Sequence, residues 1–136
     1  MILNFTISSQ KAKKVFEYIG LTLWLLIIPI KLNRYFNLKI FESLNINLPS
    51  FFGAAGLFFI LISGKGRLSN LRVAQSALIA ISVSVLLEVI QLFPRPGVLS
   101  YINYTFDFID ILFSIIGVVL SYMVILLLHL RNNSDI

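Results

Sequence analysis

Two long apolar stretches decide the fold of this chain: VAQSALIAISVSVLLEVIQLF at residues 73–93 and FDFIDILFSIIGVVLSYMVILLLHL at residues 106–130. Each is at least as long as the roughly 20 residues that an α-helix needs to cross a bilayer. Such stretches form helices because lipid offers the backbone no hydrogen-bond partner. Two shorter apolar stretches precede them, at residues 15–30 and 48–63. We therefore predict an all-α integral membrane bundle of four transmembrane helices, folded as one domain over residues 1–136.

The composition of the chain agrees with a membrane protein and excludes several classes of function. Of its 136 residues 58% are hydrophobic and only 12% are charged, which is too few to cover a soluble core of this size. The absence of cysteine excludes disulfide scaffolds, thiol catalysis and zinc ribbons. The net charge of +5 is scattered between apolar runs, so we expect the lipid bilayer as partner and no nucleic acid.

The distribution of basic residues predicts the orientation of the four helices. An even number of crossings places both termini on one side of the membrane. That side would hold the larger basic group, Lys11, Lys13, Lys14, Lys65, Arg67, Arg72 and Arg131, and the opposite side Lys31, Arg34, Lys39 and Arg95. The positive-inside rule then favours an N-in, C-in arrangement. A re-entrant second stretch would reverse the last two helices, and we keep it as the alternative.

Acidic residues near two helix ends are the first candidates for function, because charged groups in hydrocarbon are costly. Glu88 and Gln91 share one face of the third helix, and Asp107 and Asp110 open the fourth. The two helices are joined by a turn and run antiparallel, so these four side chains should meet at one depth near the outer surface. Arg95 in the connecting loop is either an ion-pair partner for the acids or a head-group contact. In a partly dry site, one carboxyl should be protonated unless a cation neutralises the group.

Small and polar residues continue along the same two helices. They are Ser84 on the third helix and Ser114, Gly117 and Ser121 on the fourth. Such spacing is typical of packing between membrane helices, and we interpret these four residues as packing positions. Thr105 is a natural N-cap and Asp107 suits the positive end of the helix dipole. For Glu88 and Asp110, a ligand pocket and a purely structural contact both stay open.

Known catalytic patterns are missing from the sequence. It contains no HExxH, GxSxG, Walker or dinucleotide-binding motif. The single histidine, His129, would lie at the end of the fourth helix far from the acids, so a Ser/His/Asp triad is excluded by geometry. We expect no metal and no cofactor, and whether the protein is an enzyme stays open.

The last third of the chain resembles VanZ-like membrane proteins. The resemblance lies in Glu88-x-x-Gln91, a loop, and Asp107-x-x-Asp110 followed by small residues, against the family pattern E-x-x-Q, an Arg, then D-x-x-x-N-x-x-G-x-x-x-G. Ser114 stands where the family has Asn, and Ser121 where it has its final Gly. The segment LPSFF at residues 48–52 is similar to the opening of the second helix in a small branch of these proteins.

The resemblance implies a multi-pass protein of the bacterial cell envelope, whose namesake family is linked to glycopeptide antibiotic resistance. It would make Glu88, Gln91, Asp107 and Asp110 signature positions, with Arg95 as the counterpart of the family's Arg.

Three functions remain in view from the sequence. The first is a protein of the bacterial inner membrane with an outward-facing pocket for an envelope lipid or lipid-linked precursor. The second is a structural or partner-binding membrane module, in which the same residues hold the third helix to the fourth. The third is proton or cation translocation through a homo-oligomer, because intramembrane acids also mark ion pathways.

Overall fold

The chain folds as a bundle of four α-helices in a computed structural model that describes residues 5–36, 47–64, 68, 70–93 and 107–134. The helices are α1 (Gln10–Tyr35), α2 (Leu48–Ile62), α3 (Val73–Ile90) and α4 (Phe108–Ser134). Within these described ranges there is no β-strand. The predicted all-α fold is confirmed.

Three of the helices, α1, α3 and α4, are long and apolar enough to cross a membrane. The apolar helix α2 has 15 residues, so it is only about 22 Å long at 1.5 Å per residue. Its short length is compatible with its position, because α2 contacts each of the other three helices. The apolar outer faces of the bundle suit a lipid bilayer.

The helices extend beyond the apolar stretches at several ends. The apolar stretch at residues 15–30 is part of a longer helix over Gln10–Tyr35. Pro29 lies inside this helix. The fourth helix begins at Phe108, two residues later than the predicted start at residue 106, and continues to Ser134. The third ends at Ile90, before the predicted end at residue 93. Hydropathy marks the part of a helix that suits lipid, whereas polar residues can continue the same helix into the interface.

Side-chain contacts fix the direction in which the helices run. Gly20 lies against Ile60, and Trp24 against Gly53, so α1 and α2 are antiparallel. Ser114 lies near Ser50 at the start of α2, so α4 runs in the same direction as α2. The chain therefore passes along the bundle four times. Whether α2 crosses the membrane or is re-entrant stays a prediction, because α2 is shorter than the three helices that are long enough to span it.

The two ends of the bundle differ in charge. We call the end where α1 and α3 finish and α2 and α4 begin the acidic end, because it contains Glu88, Asp107 and Asp110, although Lys31 of α1 lies there too. The opposite end is the basic end, and its described cationic residues are Lys11, Lys13, Lys14, Arg72 and Arg131. No membrane is part of the structure, so the N-in, C-in orientation stays a prediction.

The centre of the core is α2. Its Ala54, Phe58, Phe59 and Ile62 are buried and cluster with Val73 and Ala80 of α3 and with Val118 and Ile125 of α4. The sequence of α2 explains this position, since FFGAAGLFF at residues 51–59 offers no polar face and a helix apolar on all sides is buried.

The chain before α1 packs on the basic end. The Phe5 ring stacks on His129 of α4, with centroids 3.9 Å apart and planes at 5°. The Phe5 carbonyl accepts a hydrogen bond of 3.1 Å from the Val73 amide at the start of α3. This short segment therefore joins the beginning of α3 to the end of α4.

Candidate functional site

Glu88 is the buried acid at the acidic end. It lies in the last turn of α3, and its side chain is only 9% exposed. The Gln91 side-chain amide donates a hydrogen bond to the Glu88 carboxylate. The second oxygen, Oε2, is buried and has no hydrogen-bond partner within the part of the chain that is described. Glu88 therefore presents an acceptor that the surrounding helices leave unused.

Two further carboxyls, on Asp110 and Asp107, act electrostatically on Glu88. Both belong to the beginning of α4, Asp110 in the first turn and Asp107 just before it. The end of α3 therefore lies beside the start of α4, as the antiparallel arrangement predicts. Among the described residues, no cationic side chain acts on Glu88. The structure thus places the two acids of α4 within electrostatic range of Glu88, and Gln91 in hydrogen-bond contact with it.

Asp107 has a clear structural role at the start of α4. Its Oδ1 accepts a hydrogen bond of 2.9 Å from the Ile109 amide, and its carbonyl accepts one of 3.1 Å from the Asp110 amide. This is the geometry of an N-cap, in which a carboxylate satisfies a free amide of the first helical turn. Asp107 therefore occupies the position directly before the helix. Thr105 itself lies outside the described residues, as does Arg95, whose proposed pairing with the acids stays a prediction.

The predicted packing residues of α4 pack against α2. The Ser114 hydroxyl donates a hydrogen bond of 3.3 Å to the Ser50 carbonyl, and Ser114 is almost fully buried. A Cβ added to Gly117 would lie 2.7 Å from the Phe51 carbonyl oxygen. The small residues therefore let α4 approach the backbone of α2 directly below the acids.

The other two predicted packing residues satisfy their hydroxyls within their own helices. Ser84 donates to the Ala80 carbonyl at 2.9 Å, and Ser121 donates to the Gly117 carbonyl at 2.8 Å. Their oxygens therefore form no bridge between helices, and these residues contribute through their small size.

The chemistry of the acidic end suits a cation or a hydrogen-bond donor. The described side chains that act on Glu88 are the carboxyls of Asp110 and Asp107 and the Gln91 amide, and carboxylate oxygens accept hydrogen bonds when ionised. Within the described ranges no group of three His, Cys, Asp or Glu residues is arranged to hold a metal ion. His129 stacks on Phe5 at the basic end and lies far from the acids.

The structure also shows features that the sequence analysis missed. The α1–α2 contact depends on Gly20 and Gly56, and Trp24 Nε1 donates a hydrogen bond of 3.1 Å to the Gly53 carbonyl. Buried hydroxyls of Ser76 and Tyr122 have no hydrogen-bond partner among the described residues. The glycines of α2 could have predicted the α1–α2 contact, because small residues are typical of places where membrane helices approach closely.

Comparison with known proteins leaves the family open. The chain matches no protein-family model, no curated protein and no solved structure. The resemblance to VanZ-like proteins therefore stays a prediction from the motif residues.

Proposed function

We propose that this protein is a VanZ-like protein of the bacterial cytoplasmic membrane and that its acidic end faces outward. There, Glu88, Gln91, Asp107 and Asp110 form a pocket that binds a polar group of an envelope lipid or lipid-linked precursor. In this proposal Glu88 and Asp110 contact the ligand, Gln91 orients Glu88, and Asp107 fixes the start of α4.

One observation carries this proposal: Glu88 is buried, its Oε2 has no hydrogen-bond partner among the described residues, and two other acids act on it electrostatically. A carboxylate that served only to hold α3 against α4 would gain from a donor on the neighbouring helix, because an unpaired buried acceptor is destabilising. The neighbouring helix α4 instead offers two further acids, Asp110 and Asp107. Residues kept at a loss of stability are typical of binding sites.

The surroundings of the acids favour a lipid as the source of the ligand. On α3 the neighbours Leu87 and Ile90 are exposed, and on α4 so are Phe108 and Ile109. In a bilayer these apolar side chains contact acyl chains, which places a lipid beside the site from the side of the membrane. A head group at the end of α3 is then close to Glu88.

The experiment is a comparison of bound lipid between the parent and the double variant Glu88→Gln, Asp110→Asn. Both are purified in mild detergent, and the retained lipids are quantified by mass spectrometry. The matched control is Glu17→Gln, which removes one acid from α1, away from the acidic end. We expect a lipid class that the parent and the control retain and the double variant loses. Equal lipid content in all three proteins would contradict the proposal.

A structural module is the second candidate, and the Asp107 N-cap favours it, since capping needs no ligand. In that case Glu88 and Asp110 only lock α3 to α4. A hydrophobic pair of matching volume, Glu88→Met with Asp110→Leu, should then support normal function. Loss of function in a stable double variant would favour the pocket.

A further inference from the structure

We infer that the group bound at the acidic end is a primary ammonium and that a lipid head group delivers it. This inference rests on the proposed function and adds the chemical class of the ligand. The feature behind it is the nine-tenths buried Glu88, whose Oε2 has no hydrogen-bond partner among the described residues and which interacts electrostatically with two acids at the start of α4.

A primary ammonium matches the acids around Glu88 in charge and in hydrogen-bonding groups. Asp110 and Asp107 act on Glu88 electrostatically, and no cation among the described residues acts on Glu88 itself. An ammonium brings one positive charge and three N–H donors, whereas the described acids offer mainly acceptors. It can therefore bond to Oε2 and to a second carboxylate at the same time.

The groups around Glu88 suit a divalent metal or a quaternary ammonium less well than a primary ammonium. A divalent metal needs several oxygen ligands at fixed distances, and the described residues contain no such group. Quaternary ammonium groups are recognised by aromatic cages, because they lack N–H donors. The groups around Glu88 are carboxylates and an amide, which suit a primary amine better.

The position of Glu88 in the last turn of α3 suits contact with a lipid head group. It lies two residues before Ile90, where α3 ends, which is a rise of about 3 Å. In the proposed orientation, this end of α3 lies at the head-group layer. The terminal torsion of a glutamate is soft, so the carboxylate can turn its free oxygen toward a group arriving there.

The test measures the melting temperature in detergent micelles supplemented with defined lipids. Phosphatidylethanolamine carries the primary ammonium, phosphatidylcholine has a quaternary one, and phosphatidylglycerol has hydroxyls only. Free ethanolamine is a fourth arm that separates a lipid source from a soluble amine. Unfolding is followed by fluorescence of Trp24, the only tryptophan, which lies in the α1–α2 contact. The proteins are the parent, Glu88→Gln and the control Glu17→Gln, with Asp110→Asn as a second site variant.

We expect phosphatidylethanolamine to raise the melting temperature of the parent and of Glu17→Gln by roughly 4 °C or more. The rise should be lost in Glu88→Gln and reduced in Asp110→Asn. An equal, Glu88-dependent rise with phosphatidylcholine or phosphatidylglycerol would overturn the ammonium and leave the proposed function standing. An equal rise with free ethanolamine would overturn the lipid source. If no lipid acts through Glu88 or Asp110, the inference and the proposed function both fail.

Discussion

The Ser114 hydroxyl of α4 bonds to the Ser50 carbonyl of α2 at 3.3 Å, one helical turn below Asp110. Through this contact, the first turns of α4 pack against the first turn of α2. Gly117 extends the same contact by another turn. Asp107 and Asp110 therefore lie beside a close contact between α4 and α2. Glu88 of α3 lies within electrostatic range of both.

The α1–α2 contact should not tolerate a methyl group at Gly20. An added Cβ would lie 2.8 Å from Ile60 Cγ1 and 2.9 Å from the Gly56 carbonyl oxygen, and the backbone atom cannot move alone. We expect Gly20→Ala to destabilise the protein by about 1–3 kcal/mol, measured by thermal unfolding in detergent. Gly53→Ala is the matched control, since its Cβ would meet only Ile27 Cδ1 at 3.8 Å. A Gly20→Ala protein as stable as Gly53→Ala would contradict this contact.

The α2–α4 contact should be equally sensitive at Gly117. An alanine there would press its Cβ against the Phe51 carbonyl, so α4 must move away from α2. We expect a loss of about 1–3 kcal/mol for Gly117→Ala, together with weaker lipid retention at the acidic end. Ser114→Ala removes only the hydroxyl, and it should lower stability by about 0.5–1.5 kcal/mol. The opposite ranking of the two variants would refute the packing described for α4.

Trp24 should contribute a measurable polar interaction to the bundle. Its Nε1 donates to the Gly53 carbonyl at 3.1 Å, which Trp24→Phe would remove while keeping an aromatic ring. Interhelical hydrogen bonds in membranes are worth about 0.6 kcal/mol on average, and we expect a loss of at least that size. Because this variant has no tryptophan, its unfolding must be followed by circular dichroism. An unchanged melting temperature would show that the hydrogen bond adds nothing.

The segment before α1 should stabilise the basic end through its ring stack. Phe5→Ala removes the ring that lies on His129, and aromatic pairs contribute about 0.5–1.5 kcal/mol beyond their buried area. We expect faster proteolysis after Lys11 and a lower melting temperature. Phe5→Tyr keeps the ring and serves as control, so equal behaviour of both variants would contradict a role for the stack.

The sequence predicts that Glu88, Gln91, Asp107 and Asp110 lie near one another, and this prediction depends on two local features. Residues three apart share a helix face, and a turn between two helices makes them antiparallel. The contact of Gly20 with Gly56 could not be predicted in this way. It depends on which faces of α1 and α2 meet, and hydropathy does not distinguish faces when both helices are apolar on nearly all sides.

Two other features depend on tertiary structure in a similar way. The stripe Ser114, Gly117 and Ser121 indicated packing, but its partner, α2, became visible only in the fold. The stacking of Phe5 on His129 joins residues from opposite ends of the chain, and no periodicity links them.

The most direct test of the central claim is the thermal stability of Glu88→Gln in lipid-free detergent. Glutamine keeps the volume and an oxygen that can accept from Gln91, and it removes the buried carboxyl group on which Asp110 and Asp107 act. We predict that the variant is at least as stable as the parent, because the acid is present for a ligand and not for packing. A collapse of the variant, with a loss of several kcal/mol, would show that Glu88 is structural and would contradict the binding site.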